Sequence, residues 1–153
     1  MSANRDDDQN RGRRSVTSAP PRRSNSNSEP PGNAKLVLVV EDDEKTLKLL
    51  GKVLQRGGYR AGLTVNGFSA VNLLKRARPD LILLDLRMPR MDGFQLLELL
   101  KQYQSSSEIP VIVLTGSSSP FDIDRALKLG VQDYLVKPIS PRKLLQKIGE
   151  LLR

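Results

Sequence analysis

The feature that most limits how this chain can fold is an alternation, begun at Lys35 and repeated five times, between short apolar runs and helical stripes. Leu36–Val40 is a continuous Leu/Val run, as expected of a strand covered on both faces. Leu47, Leu50 and Leu54 then recur at helical spacing, and Gly57-Gly58 closes that helix. A short extended piece at Tyr59–Val65 precedes a helix carrying Phe68, Val71 and Leu74 on one face. Leu81–Leu84 reads as the next buried strand and Phe94–Leu100 as the next helix. Ile109–Leu114 is a strand, followed by a helix marked by Ile123, Ala126 and Leu127 and ended by Gly130. Val131–Val136 is the last strand, and Leu144, Ile148 and Leu151 stripe the last helix. Five strand–helix units with right-handed crossovers predict an α/β fold, a doubly wound parallel sheet with helices on both faces. Ligand sites in such sheets lie beyond the carboxyl ends of the strands. The chemically useful residues should therefore follow strands.

The pattern is confined to part of the chain. Residues 1–34 are rich in Ser, Asn, Pro and Arg, with Val16 their only large aliphatic residue besides Met1. Such a segment buries too little apolar area to offset the entropy of ordering, so a disordered leader over 1–34 and a domain over 35–153 are expected. The net charge of +8 divides between them. In the leader, six arginines face Asp6, Asp7, Asp8 and Glu29, and the larger part of the surplus falls in the domain, spread along helices. With three Phe and three Tyr available to stack on bases, a mildly basic solvated surface explains this charge better than a nucleic-acid site. The Arg-Arg pairs at 13–14 and 22–23 could touch acidic surfaces, but a solubilising leader is the simpler reading, and the Asp6–Asp8 run argues against an organelle transit peptide. The chain has no cysteine and no histidine, which excludes disulfides, thiolate or imidazole metal sites and Ser-His catalysis. No apolar run approaches the roughly 18 residues of a membrane span. A cytoplasmic protein without membrane contact is the resulting expectation.

The strand ends carry a set of polar residues. Glu41 and Asp42 follow the first run, Asp85 the third, Thr115 closes the fourth and Lys137 follows the fifth. Glycine-rich phosphate loops are missing, so carboxylates, a hydroxyl and an ammonium converge without a nucleotide cradle. Phosphoryl transfer to a carboxylate needs this set. An aspartate is a competent nucleophile toward phosphorus. The charge on the equatorial oxygens has to be neutralised, commonly by a hard cation. Mg²⁺ favours a few carboxylates with retained waters, which two or three acids at neighbouring strand ends provide. Lys137 supplies a further positive charge, and Thr115 a short donor with Gly116 leaving room beside it.

The stretches VLVVEDDE, PDLILLDLRMPRMDG, IPVIVLTG and DYLVKPIS resemble those of response-regulator receiver domains over about residues 35–153. The successive intervals from Asp42 to Asp85, from Asp85 to Thr115 and from Thr115 to Lys137 are 43, 30 and 22 residues, in keeping with that family. The resemblance implies a flavodoxin-like sheet of strand order 2-1-3-4-5. It implies that Asp85 accepts the phosphoryl group and that Glu41, Asp42, Asp85 and the backbone carbonyl of Arg87 hold Mg²⁺, Glu41 through water. Thr115 and Lys137 correspond to the switch hydroxyl and the phosphate-binding lysine. Tyr134 corresponds to the aromatic that turns inward on activation, and Pro138 to a proline whose peptide is typically cis. The donor would be a histidine kinase or a histidine phosphotransfer protein, and the output a protein target bound in trans through the last two helices and fifth strand.

Plainer readings stand beside these. Asp42 or Asp43 could cap the following helix, and Asp43 makes the register of the acidic pair ambiguous. Thr115 could be structural and Tyr134 simple packing. Met88-Pro89 and Gly93 are read as shaping the loop over the site. A haloacid-dehalogenase-like phosphatase shares the Asp, Thr, Lys and Mg²⁺, but generally has a second aspartate two residues after the nucleophile, where this chain has Arg87. A pseudo-receiver acting only by protein binding is disfavoured by the complete residue set.

Overall fold

A computed structural model of the protein describes residues 30–88, 91–102, 108–116 and 119–153. Most of the expected leader, residues 1–29, and Pro89 lie outside the described residues. The elements alternate as β1 (Leu36–Val40), α1 (Glu44–Arg56), β2 (Arg60–Thr64), α2 (Gly67–Leu74) and β3 (Leu81–Asp85). They continue as α3 (Gly93–Gln102), β4 (Val111–Thr115), α4 (Pro120–Lys128), β5 (Asp133–Val136) and α5 (Pro141–Leu151). All pairings are parallel, and the strand order is β2-β1-β3-β4-β5, as the resemblance implies.

The apolar runs behave as expected of two-sided strands. Alternate side chains of β1, β3 and β4 feed two separate cores. Val37, Val39, Leu81, Leu83, Ile112 and Leu114 pack beneath α1 and α5. Leu38, Val40, Ile82, Leu84, Val111 and Val113 pack against α2, α3 and α4. Each fully buried aliphatic side chain contributes on the order of 1.5–3 kcal/mol before the ordering entropy is counted. Opposed cores on both faces of three central strands fix their carboxyl ends as a rigid shelf.

Several boundaries differ from the sequence reading. β4 starts at Val111 because Pro110 has no N–H for the ladder, although its carbonyl still accepts from the Ile82 amide at 2.9 Å. β5 starts at Asp133, after the Val131 amide has bonded back to Ala126 at 3.3 Å. In α2 the inward face is set by Gly67, Ala70, Val71 and Leu74. Gly67 lies so close to Met91 that an added Cβ would be 2.5 Å from its sulfur. With Gly67 and Ala70 facing inward, Phe68 lies outward, 54% exposed, where the sequence reading placed it in the stripe. Leu127 of α4 is likewise exposed, and Ala126 is the buried residue. Gly58 ends the α1 turn with φ +85°, a conformation side-chain-bearing residues seldom adopt.

Candidate functional site

Three of the strand ends deliver polar side chains into the interior. Glu41 after β1, Asp85 at the end of β3 and Thr115 at the end of β4 are all buried, with Asp85 3% and Thr115 1% exposed. A buried carboxylate is costly unless it is paired. Lys137, the residue after β5, provides the pairing. Its Nζ donates to Glu41 at 2.9 and 3.2 Å and to Asp85 Oδ2 at 3.3 Å. The other Asp85 oxygen accepts from the Arg87 backbone amide at 3.0 Å. Lys137 is itself seated by its amide, which donates to the Thr115 carbonyl at 2.7 Å, and by a cis peptide to Pro138. The cis bond agrees with the resemblance.

The charges are not balanced. Burial, and then the nearby charge of Asp85, push the Glu41 carboxyl above its ordinary value despite the hydrogen bond from Lys137. Burial works against the charged form of Lys137, but the hydrogen bond to Glu41 and the charges of Asp85 and Glu41 outweigh it and raise its pKa. Asp42 adds a further, exposed carboxylate, and oxygens of Glu41, Asp42 and Asp85 lie within 4.8 Å of one another. Three carboxylates against one ammonium form an oxygen-rich, negatively charged donor set that suits a hard divalent cation. The residues present therefore fit a metal of the magnesium type.

Asp43 does not join the cluster as a ligand. Its carboxylate caps α1, accepting from the Thr46 amide at 3.1 Å and from the Thr46 hydroxyl at 2.5 Å. Those bonds hold its pKa below the ordinary value. Of the three consecutive acids, Glu41 and Asp42 cluster with Asp85, and Asp43 is in the cap. Tyr134 lies on the other side of β5, 36% exposed, along a groove of about 560 Å³ that Val136, Lys143 and Lys147 also line.

Two features were not legible from the sequence. Glu41 is engaged directly by Lys137, so these two residues and Asp85 form one network. The Arg87 guanidinium reaches across to Asp122 at 2.9 Å, a partner 35 residues away for which no short-range pattern exists. Gly93, in contrast, does shape the loop as read. A Cβ there would sit 2.6 Å from the Asp85 carbonyl oxygen and the Leu86 Cα, so only glycine lets α3 start against the end of β3.

Residues 37–149 match the response regulator receiver domain family. The chain belongs to that family. The receiver is 38% identical over 120 residues to the phosphate regulon transcriptional regulatory protein PhoB of Klebsiella pneumoniae, an alignment covering 78% of this chain and 52% of that protein. It thus spans about half the length of the regulator it matches. Among solved structures, the chemotaxis protein CheY4 of Vibrio cholerae is similar at TM-score 0.74 and 28% identity, over 78% of this chain and 99% of that one. The receiver domain of the sensor histidine kinase PA1611 from Pseudomonas aeruginosa is similar at TM-score 0.72 and 29% identity, over 78% and 98% of the two chains. That structure holds a magnesium ion in its active-site cleft. Two-component phosphorelay signalling is accordingly the class of function this receiver serves, as a signalling domain and not an enzyme of the usual kind. The dehalogenase-like and pseudo-receiver readings are not favoured. Among the described residues no helix is long and apolar enough to cross a membrane.

Proposed function

We propose that Asp85 is the phosphoacceptor of this receiver, and that a histidine kinase or histidine phosphotransfer protein is its donor. The observation that carries this reading is the bridge from a partly buried Lys137 to the buried Glu41 and Asp85 at the strand ends. A carboxylate oxygen of Asp85 attacks the phosphorus of a phosphohistidine. The new O–P bond forms as the N–P bond breaks, and the imidazole nitrogen keeps the electron pair. Lys137, already held as an ammonium beside Asp85, neutralises charge on the incoming phosphoryl oxygens. Thr115 donates its hydroxyl to one of these oxygens, and its shift on doing so makes room for Tyr134 to turn inward. Bound by Glu41, Asp42, Asp85 and the Arg87 carbonyl, a magnesium ion would supply charge neutralisation that one lysine does not. The same groups support slow self-phosphorylation by small phosphodonors and slow self-dephosphorylation.

The output is a protein target in trans, recognised on the face of α4, β5 and α5. Exposed apolar side chains of Phe121, Tyr134 and Val136 there support that assignment. We place the domain boundary near Lys35 and the working compartment in the cytoplasm. A phosphotransfer screen with purified, phosphorylated histidine kinases tests the proposal. Transfer that maps to Asp85 is expected. Transfer from a kinase to any other residue, with Asp85 unmodified, would overturn it.

A further inference from the structure

Of the five helices, α4 has the fewest buried residues. Ala126 is its one fully buried residue, and Phe121 projects into solvent with 76% of its surface exposed. Besides the packing of Ala126 in the core, charged groups tie α4 to its neighbours. In its second half, Arg125 pairs with Glu98 of α3 at 3.7 Å and lies 4.1 Å over the Phe94 ring. In its first turn, Asp122 accepts from the guanidinium of Arg87 at 2.9 Å. The Arg87 backbone amide at the same time donates to Asp85. One residue thus touches the acceptor through its main chain and α4 through its side chain.

We propose that Arg87 is a phosphoryl-operated latch: unphosphorylated, it pins the first turn of α4 through Asp122, and with a phosphoryl group on Asp85 it exchanges Asp122 for the phosphoryl oxygens. This rests on Asp85 being the acceptor. The charge arithmetic favours the exchange. Phosphorylation replaces a single carboxylate charge beside Arg87 with roughly −1.5 to −2 and three acceptor oxygens. A guanidinium fork fits phosphate oxygens in bidentate fashion. Arg87 is 70% exposed, and an exposed ion pair contributes little, so leaving Asp122 costs little. Lys137 does not have this freedom, because it is partly buried and bonded to two carboxylates. Asp122 is only 16% exposed, so loss of its cation leaves a poorly hydrated charge in the first turn. That turn loosens while Ala126 in the core and Arg125 over the Phe94 ring keep the second half of the helix in place. The latch gives α4 a route to the acceptor separate from Thr115 and Tyr134.

The test is amide exchange along residues 119–129 with and without beryllofluoride, which stands in for the phosphoryl group. In the wild type, beryllofluoride is expected to speed exchange in the first turn about fivefold, the scale of one weak tie lost, and to leave residues 125–129 nearly unchanged. Arg87→Ala and Asp122→Asn, which cut the pair from opposite sides, should each show the faster first turn without beryllofluoride and gain little more with it. The double variant should be no faster than either single one. An equal beryllofluoride effect in Arg87→Ala, or additive effects of the two substitutions, would overturn the latch. Intact mass after acetyl phosphate treatment separates the two proposals. A labelled Asp85 with an unchanged first turn defeats the latch alone, and an unlabelled Asp85 defeats both.

Discussion

Lys137 is held between Glu41 and Asp85, and its place in the network fixes what each acid at the site does. Glu41 is the strained member, because burial and the Asp85 charge both disfavour its ionised form. A raised carboxyl pKa stabilises the fold fully below the unfolded value, and that stability is lost as pH rises through the folded value. Lys137 is raised as well and stays charged throughout the neutral range, so the change between weakly acid and neutral pH belongs to Glu41. Metal-free wild type should therefore lose melting temperature as pH climbs above the ordinary glutamate value of 4.5. Glu41→Gln should flatten that decline, as read by thermal unfolding across the range. A second prediction separates the neighbouring acids. Mg²⁺ should raise the melting temperature of the wild type through linkage, and Asp42→Ala should remove most of that rise. Asp43→Ala should lower stability by uncapping α1 yet keep the Mg²⁺ response. The sequence made all three acids candidates, because a cap and a ligand draw on the same residue types. Only the backbone geometry at Asp43, extended and aimed at Thr46, distinguishes them.

At the scale of elements, glycine marks where helices meet the site. α3 begins against the end of β3 because Gly93 has no Cβ, and the nearest atoms are main chain that cannot step aside. Gly93→Ala should cost about 1–3 kcal/mol, as forced overpacking does, measured by denaturant unfolding. Gly149 in α5 has open space around it, and Gly149→Ala should instead stabilise by about 0.5–1 kcal/mol. The opposite signs check that contact, and not glycine content, decides. The burial of the central strands was read from the sequence more reliably than the inward faces of the helices, although the starts of β4 and β5 were not. A run such as LILL admits one placement, buried on both faces. In α2, apolar residues outnumber the positions facing the core, and periodicity alone could not tell that Gly67 and Ala70 face inward and Phe68 outward.

For the whole molecule, the five-unit alternation was enough to predict a parallel sheet with its site at the strand ends. The strand order came from the resemblance, since no local pattern says which strands adjoin. The tie between Arg87 and Asp122 stayed hidden for the same reason: it depends on how the β3–α3 loop and α4 are set side by side. What the fold achieves is to hold two acids and a lysine at the ends of three strands at fixed separation, with Phe121 of α4 and Tyr134 and Val136 of β5 exposed. The central claim is that this shelf exists to put a phosphoryl group on Asp85. Intact-mass spectrometry after incubation with acetyl phosphate and Mg²⁺ tests it most directly, with wild type beside Asp85→Asn. A single phosphoryl adduct on the wild type and none on the variant is the predicted result, and a normal adduct on Asp85→Asn would contradict the account.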